Sequence, residues 1–382
     1  MEDACAKVLR MLAPGRVLLS YLKLVMDQYN EPFLKCLSQA LSSQTRLVTT
    51  SLPSYSANRD VIAALGHLPD LEEYMLEDFS GYQAPVEVGK EFDWPPDGFA
   101  SLRKLSFIAS LVDAGEIMGK EHQSRLRSLE ITCRTPHRHS QLRHLSTKLS
   151  ASIPQLTSIS LFLYSEAFVL SITFDSIQPL LLCRALLSLV IGQSAPLVYT
   201  QSDIEAMAVA WPAMQKLVLT ADPVNGIGHL SGQPLRSVGV FAHHFPYLTF
   251  LGIYINTFEI PLEYPKPTRF RVLDVLCIGT SPTTTNHLPV ALYLGGVLAP
   301  TTVLKSHRST EHVWALPSPT LLAANELFRR AKFWHSVASD LQTIQASILV
   351  AQIQDLVAQN QTLLKEVGRL NNRPEMPASG RT

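Results

Sequence analysis

The sequence predicts an α/β fold in which parallel strands, backed by helices, stack as an irregular solenoid arc that ends in one long helix. Three observations predict it. An apolar triplet returns along most of the chain, helical spacing separates several of its copies, and the C-terminal segment is poor in proline and rich in alanine, glutamine and leucine. The predicted units are a solenoid over residues 1–316, a helix over residues 317–371 and a disordered tail over residues 372–382.

The triplet has the spacing L-x-x-L-x-L, which is the strand signature of leucine-rich repeats. Two weaker copies come first and eight clearer ones follow. In chain order they are Leu19-Leu22-Leu24, Leu47-Thr50-Leu52, Leu71-Tyr74-Leu76, Leu102-Leu105-Phe107, Leu126-Leu129-Ile131, Leu156-Ile159-Leu161, Leu186-Leu189-Ile191, Met214-Leu217-Leu219, Leu248-Leu251-Ile253 and Leu273-Leu276-Ile278. Successive copies start 24 to 34 residues apart, so the period is loose but persistent.

Helices are predicted between several copies, for example over residues 60–65, 141–145 and 203–208. Ser202 is the predicted N-cap of the third helix, and proline after Trp211 and after Phe245 is expected to end helices just before the next strand. One strand with one helix cannot cover its own apolar face. Stacking of neighbouring repeats into a parallel, helix-backed arc would cover it.

A doubly wound α/β sheet is the alternative fold, because strands and helices alternate there too. It does not require a triplet at fixed offsets, and the glycines at 226, 228 and 232 do not fit the GxGxxG spacing of its phosphate-binding turn. The solenoid itself should be irregular. Regular repeats carry a ladder of asparagines after the strand, whereas here only Asn256 stands at that place, with Asp222 as a partial substitute.

The sequence resembles the F-box and leucine-rich-repeat proteins of mushroom-forming fungi. The resemblance covers roughly residues 15–315. It rests on a predicted helix at residues 203–208, a Trp-Pro stop at residues 210–212 and a strand at residues 214–219, together with the Phe-Pro-Tyr-Leu sequence at residues 245–248. It implies a substrate receptor of a cullin-type ubiquitin ligase, in which an F-box binds the Skp adaptor and the repeats hold a protein target. Repeat-like sequence begins by about Leu19, so we expect no F-box ahead of it.

The C-terminal helix carries a heptad pattern whose apolar steps alternate between four and three residues. The predicted dimerisation residues are Leu349, Ile353, Leu356, Asn360, Leu363, Val367 and Leu370. In heptad notation, Ile353, Asn360 and Val367 stand at the first core position (a), and the leucines stand at the second core position (d). This combination of residues favours a parallel two-stranded coiled coil, hence a homodimer. A coiled-coil-dimerised scaffold without a role in ubiquitin ligation is therefore the alternative to the receptor function.

A second arrangement of this helix stays open: it could fold back and cap the end of the solenoid. Its upstream apolar residues, among them Phe333 and Trp334, suit that arrangement, and both could hold for different segments. The basic group Arg329, Arg330 and Lys332 is predicted to be solvated rather than to bind DNA.

Protein binding is expected on the exposed side of the strands, because alternate strand residues point away from the core. The predicted binding residues are Lys104, Glu130, Lys216, Phe250 and Tyr254. The first three carry charge, and the last two would form an aromatic anchor near the C-terminal end. The alternative is that the C-terminal helix covers this apolar strip.

Composition argues against several other classes of protein. Lys plus Arg equals Asp plus Glu at 32 each, so no net field attracts nucleic acid. The longest uncharged stretch is interrupted by threonines and prolines, so no membrane span is predicted, and no secretory signal is apparent. The five cysteines are scattered without CxxC spacing, which indicates a reducing compartment, the cytoplasm or the nucleus.

No catalytic, cofactor or metal site is predicted. The best metal-ligand candidates are Cys133, His137 and His139, but no fourth ligand follows at a zinc-site spacing. No GxSxG elbow or GxxxxGK[ST] loop is present. The sequence therefore predicts a protein-binding module and not an enzyme.

Overall fold

The computed structural model describes residues 7, 9, 18–25, 31–77, 98–119, 125–163, 172–193, 195–221, 232–258, 268–306 and 321–371. The predicted tail over residues 372–382 and the predicted boundary at residue 316 lie outside them. Within these residues the chain is an α/β protein built on one large parallel sheet, as the alternation of strand and helix patterns predicts.

In the described part of the chain eleven strands form the main sheet, and each pairs in parallel with the strand of that sheet that follows it in chain order. Two short strands, β9 and β11, form a separate parallel pair. In chain order the strands are β1 (Tyr21–Lys23), β2 (Thr49–Pro53), β3 (Glu73–Glu77), β4 (Lys104–Ile108), β5 (Ser128–Cys133), β6 (Ser158–Leu163), β7 (Ser188–Gln193), β8 (Lys216–Leu219), β9 (Gln233–Pro234), β10 (Phe250–Ile253), β11 (Ile255–Asn256), β12 (Val275–Cys277) and β13 (Val303–Lys305).

The apolar triplets lie in register across this sheet. The middle residue of one triplet pairs with the middle residue of the next, as Leu129 does with Ile159 and Leu217 with Leu251. These four side chains have no exposed surface. Complete burial of such a side chain stabilises the fold by about 1.5–3 kcal/mol. Each strand therefore depends on its neighbours in the chain for its cover.

Helices follow most strands and share one apolar core with them. They are α1 (Glu31–Ser42), α2 (Arg59–Gly66), α3 (Leu111–Met118), α4 (His139–Ser152), α5 (Gln201–Ala210), α6 (Ser237–His244), α7 (Leu288–Val297) and α8 (Leu321–Asn371). Between β6 and β7 two 3-10 turns, Phe174–Ser176 and Gln178–Leu182, take the place of an α-helix. Buried strand residues thus point toward the helices, and the alternate residues point away from them.

The two Xaa-Pro helix stops are confirmed. Helix α5 ends at Ala210, where the Trp211 N–H donates to the Met207 carbonyl at 2.8 Å, and α6 ends at His244 in the same manner. The predicted N-cap at Ser202 is wrong, because α5 starts earlier. Thr200 is the cap: its hydroxyl accepts from the Asp203 N–H at 3.3 Å, and the Asp203 carboxylate accepts from the Thr200 N–H at 2.7 Å.

Strand β13 was not anticipated from the sequence. The three triplet positions at β13 would be residues 301, 304 and 306. Of these only Leu304 is apolar, because the other two are Thr301 and Ser306. Leu304 pairs with Leu276 of β12 and completes the sheet at that edge. An edge strand has one neighbour to cover, so a single inward apolar side chain suffices.

The first half of α8 packs against α7 and the segment after β12. Phe333, Trp334, Val337 and Leu341 are buried there. The Trp334 indole N–H donates to the Ser281 carbonyl at 3.0 Å. Beyond Gln345, whose side-chain amide donates to the Ala299 carbonyl at 2.8 Å, most side chains of the helix face solvent. Among the described helices, α8 included, none is both long and apolar enough to cross a membrane.

Candidate protein-binding surface

The exposed side of the main sheet presents its side chains in straight rows. We call this surface, formed by the outward residues of β1 to β13 in the main sheet, the strand face. On its middle strands one row consists of Ser128, Ser158 and Ser188, which are paired in register and half-buried. Small uncharged residues therefore occupy the centre of the strand face.

Charged residues lie toward β1 and are paired with one another. The Lys104 ammonium is 3.6 Å from the Glu73 carboxylate, and Lys23 is 2.9 Å from Glu77. Glu130 lies one strand beyond Lys104 and accepts a hydrogen bond from the Ser106 hydroxyl at 3.1 Å. Such exposed ion pairs contribute at most about 1 kcal/mol each, so a partner could replace them at little cost.

Lys216 and Phe250, both predicted binding residues, are in direct contact. They pair in register between β8 and β10, and the Lys216 ammonium lies 5.3 Å from the centre of the Phe250 ring. A cation over an aromatic face is attracted by about 0.5–1 kcal/mol at an exposed site. Beside them, a Cβ on Gly252 would come within 2.9 Å of Val218, so the surface here is closely packed.

Tyr254 does not lie on the strand face. It is only 2% exposed, because β10 ends at Ile253 and the alternation of inward and outward residues stops with it. The Tyr254 hydroxyl accepts a hydrogen bond from the Arg330 guanidinium of α8 at 3.1 Å. The sequence left open that the C-terminal helix covers this end of the apolar strip. That alternative is correct for Tyr254, which α8 contacts, whereas Phe250 stays half-exposed.

The prediction that Arg330 is solvated is wrong. This side chain is almost completely buried and also donates to the Thr280 carbonyl at 2.8 Å and to the Glu326 carboxylate at 2.7 Å. Hydrogen bonds from Arg329 and from Arg330 lower the pKa of Glu326 from its ordinary value of 4.5 to about 2. The signal available in the sequence was the i, i+4 spacing of Glu326, Arg330 and Trp334, which places them on one helix face.

The predicted dimerisation residues lie beyond the docked half of α8. Leu349, Ile353, Leu356 and Leu363 are 48–59% exposed, and Asn360 is exposed beside them. Helical backbone continues to Asn371, but the side chains of Val367 and Leu370 lie outside the described residues.

The thiols and imidazoles near β5 do not form a metal cluster. In the described ranges of the chain, no group of three or more His, Cys, Asp or Glu side chains could hold a metal ion. His137 contacts the Thr135 carbonyl at 3.2 Å, and burial lowers the pKa of its imidazole.

Burial raises the pKa of the Cys183 thiol to about 11, so this group is protonated at neutral pH.

No protein-family model matches the chain, and no curated protein matches it. The residues of the strand face and of α8 are therefore the features of the chain that indicate a function.

Proposed function

We propose that the chain is an irregular leucine-rich-repeat solenoid and that its strand face binds another protein. The observation that supports this most is the strand order, since eleven parallel strands follow one another in the order of the chain. Their outward residues form continuous rows. With strands about 4.8 Å apart, ten intervals give a surface on the order of 48 Å long, which is enough for a protein partner.

The chemistry of the strand face favours a protein partner of mixed character. Paired charges lie on β1, β3 and β4, small polar residues on β5 to β7, and a lysine over an aromatic ring on β8 and β10. No strand of this face offers a run of basic residues that would attract nucleic acid. We expect Glu130 on one side and Lys216 with Phe250 on the other to border the contact, with the serine row between them.

The resemblance to F-box and leucine-rich-repeat proteins extends this proposal. It suggests that the bound protein is a substrate of a cullin-type ubiquitin ligase and that the chain acts as its receptor. Purified Skp adaptor mixed with the full chain tests that extension. Co-elution would support it, while failure to bind would leave the strand-face proposal standing without this extension.

The binding proposal is tested by blocking the centre of the strand face. Ser158→Arg with Ser188→Arg places two bulky charges on neighbouring strands, and their side chains start from half-exposed positions, so the fold should tolerate them. Ala151→Arg is the control, because it adds the same side chain at an exposed position of α4, on the helix side of the core.

The measurement is quantitative affinity capture from cell extract with all three forms of the chain, after circular dichroism has shown that each is folded. We expect a set of proteins retained by the wild type and by Ala151→Arg but lost, by at least tenfold, from the strand-face variant. Retention of the same proteins at the same level by the strand-face variant would contradict the proposal.

A further inference from the structure

The distal half of α8 exposes an apolar stripe that nothing in the described part of the chain covers. From residue 346 to residue 365 only Ile348 is half-buried, and the other side chains are exposed. The stripe consists of Leu349, Val350, Ile353, Leu356, Val357, Leu363 and Leu364, each 48–71% exposed. Contiguous exposed apolar surface of this kind is typical of a protein–protein contact.

The stripe begins where the docked part of α8 ends. Trp334, Leu341 and Gln345 are buried in the docked part, whereas no side chain from residue 346 to residue 365 is buried. At 1.5 Å of rise per residue, Leu356 lies roughly 17 Å along the helix axis from Gln345. The docked contact and a contact through the stripe therefore use successive lengths of α8 and can exist at the same time.

The order of residues in the stripe says what fits it. Leu349, Leu356 and Leu363 stand at d positions of consecutive heptads, and Ile353 and Asn360 stand at a positions. A β-branched residue at a with leucine at d favours two parallel strands, and an asparagine at a favours the same pairing because it can hydrogen-bond to its own counterpart. An occupant with the same sequence in the same direction satisfies all five positions.

Charge does not oppose such self-association. Between residues 346 and 365 the only charged side chains are Asp355 and Lys365, and both fall outside the a, d, e and g positions. The g positions there hold Gln352 and Gln359, and the next g position holds Glu366, which faces the e position of Asn371, so no like charges meet across a parallel seam. In proteins most of the stability of a helix comes from packing of its apolar face, which this part of α8 lacks within the described chain, so a partner helix would stabilise it.

We propose that residues 346–371 of α8 form a parallel two-stranded coiled coil with the same segment of a second copy of this chain. The inference is independent of what the strand face binds. Its consequence is that two strand faces are joined at the same end of one coil, so that a partner with two binding sites would be held by both.

Sedimentation velocity of the full chain across micromolar concentrations tests the pairing. We expect a species of twice the 42.3 kDa chain mass for the wild type. Leu356→Lys, which puts a charge at a d position, should weaken the dimer at least tenfold. Leu356 is already 59% exposed, so this change should leave the folded monomer intact. Gln354→Lys is the matched control on the outer side of the helix and should remain dimeric.

The parallel orientation of the two helices is tested separately with Ala346→Cys. Residue 346 occupies heptad position a, seven residues before Ile353. In a parallel coil the two introduced thiols face each other, and mild oxidation should give a linked dimer beyond any formed by the native cysteines. A monomeric wild type, a dimer unaffected by Leu356→Lys, a larger assembly, or no additional linkage through position 346 would each overturn the proposal.

Discussion

The guanidinium of Arg330 donates a hydrogen bond to the Tyr254 hydroxyl at 3.1 Å, although 76 residues of sequence separate the two. This contact joins α8 to the segment that follows β10. Arg330 also reaches the Thr280 carbonyl after β12 and the Glu326 carboxylate on its own helix. One buried cation therefore fixes the last helix to two successive strand ends.

Replacing this cation should loosen α8. Arg330→Met keeps much of the side-chain volume but removes the donors to Tyr254, Thr280 and Glu326. We expect a loss of about 2–4 kcal/mol in the free energy of unfolding, because buried hydrogen-bonded charges are costly to break. Arg329→Met is the control: its side chain is 52% exposed, and we expect a loss below about 1 kcal/mol. Urea unfolding followed by circular dichroism measures both, and equal losses would contradict this role.

The docking of α8 should weaken in acid. Hydrogen bonds from Arg329 and Arg330 depress the folded pKa of Glu326 to about 2, below its ordinary value of 4.5. A depressed carboxyl pKa adds stability that is complete above about pH 4.5 and is lost as the pH falls toward 2. Thermal unfolding of the wild type and of Glu326→Gln should therefore differ at pH 7 and converge near pH 2. A difference that stays constant over this range would show that the charge of Glu326 is unimportant.

Close packing of α7 on α8 should make Gly295 sensitive to the smallest substitution. A Cβ on Gly295 would lie 2.8 Å from the Cγ2 of Ile344. Gly295→Ala should therefore destabilise the chain, although alanine favours a helix over glycine by about 1 kcal/mol. Adding Ile344→Ala should restore part of the loss, whereas Gly296→Ala, at the next helical position, should not destabilise. Calorimetric melting temperatures of the wild type and of four variants, with Ile344→Ala alone among them, decide this, and additive losses in the double variant would argue against the contact.

Helix α5 offers a test of the corrected N-cap. Thr200→Ala removes the hydroxyl that accepts from the Asp203 N–H and should cost about 1 kcal/mol. Ser202→Ala changes a neighbouring exposed hydroxyl inside the helix and should change stability by less than about 0.5 kcal/mol. Chemical unfolding of the two variants compares them directly, and a larger loss at Ser202 would return the cap to that residue.

Much of the sheet was predictable because its strands carry a repeated local pattern. The triplets identified β1 to β8, β10 and β12, and the prolines after Trp211 and Phe245 marked helix ends. Strand β13 escaped because an edge strand needs only one apolar residue, Leu304. The cap was misplaced because two hydroxyl residues, Thr200 and Ser202, compete within one turn.

The candidate surface was predictable only where alternation persists. Lys104, Glu130, Lys216 and Phe250 lie within strands, so their outward direction follows from the period of two. Tyr254 follows the last residue of β10, where that period no longer applies. The burial of Arg330 depends on contacts 50 and 76 residues away, which no local window contains.

The most direct test of the account concerns the strand order on which the strand face depends. One row of that face contains Glu73 on β3, Lys216 on β8 and Val275 on β12. Lys216 lies five strand intervals from Glu73, and Val275 lies seven intervals from it. Spin labels attached at introduced ketone-bearing residues, so that native cysteines stay unlabelled, give the distances by double electron–electron resonance. At about 4.8 Å per interval we expect the Glu73–Val275 pair to be roughly 10 Å longer than the Glu73–Lys216 pair. A shorter distance to Val275 would mean a closed or reordered sheet and would contradict the account.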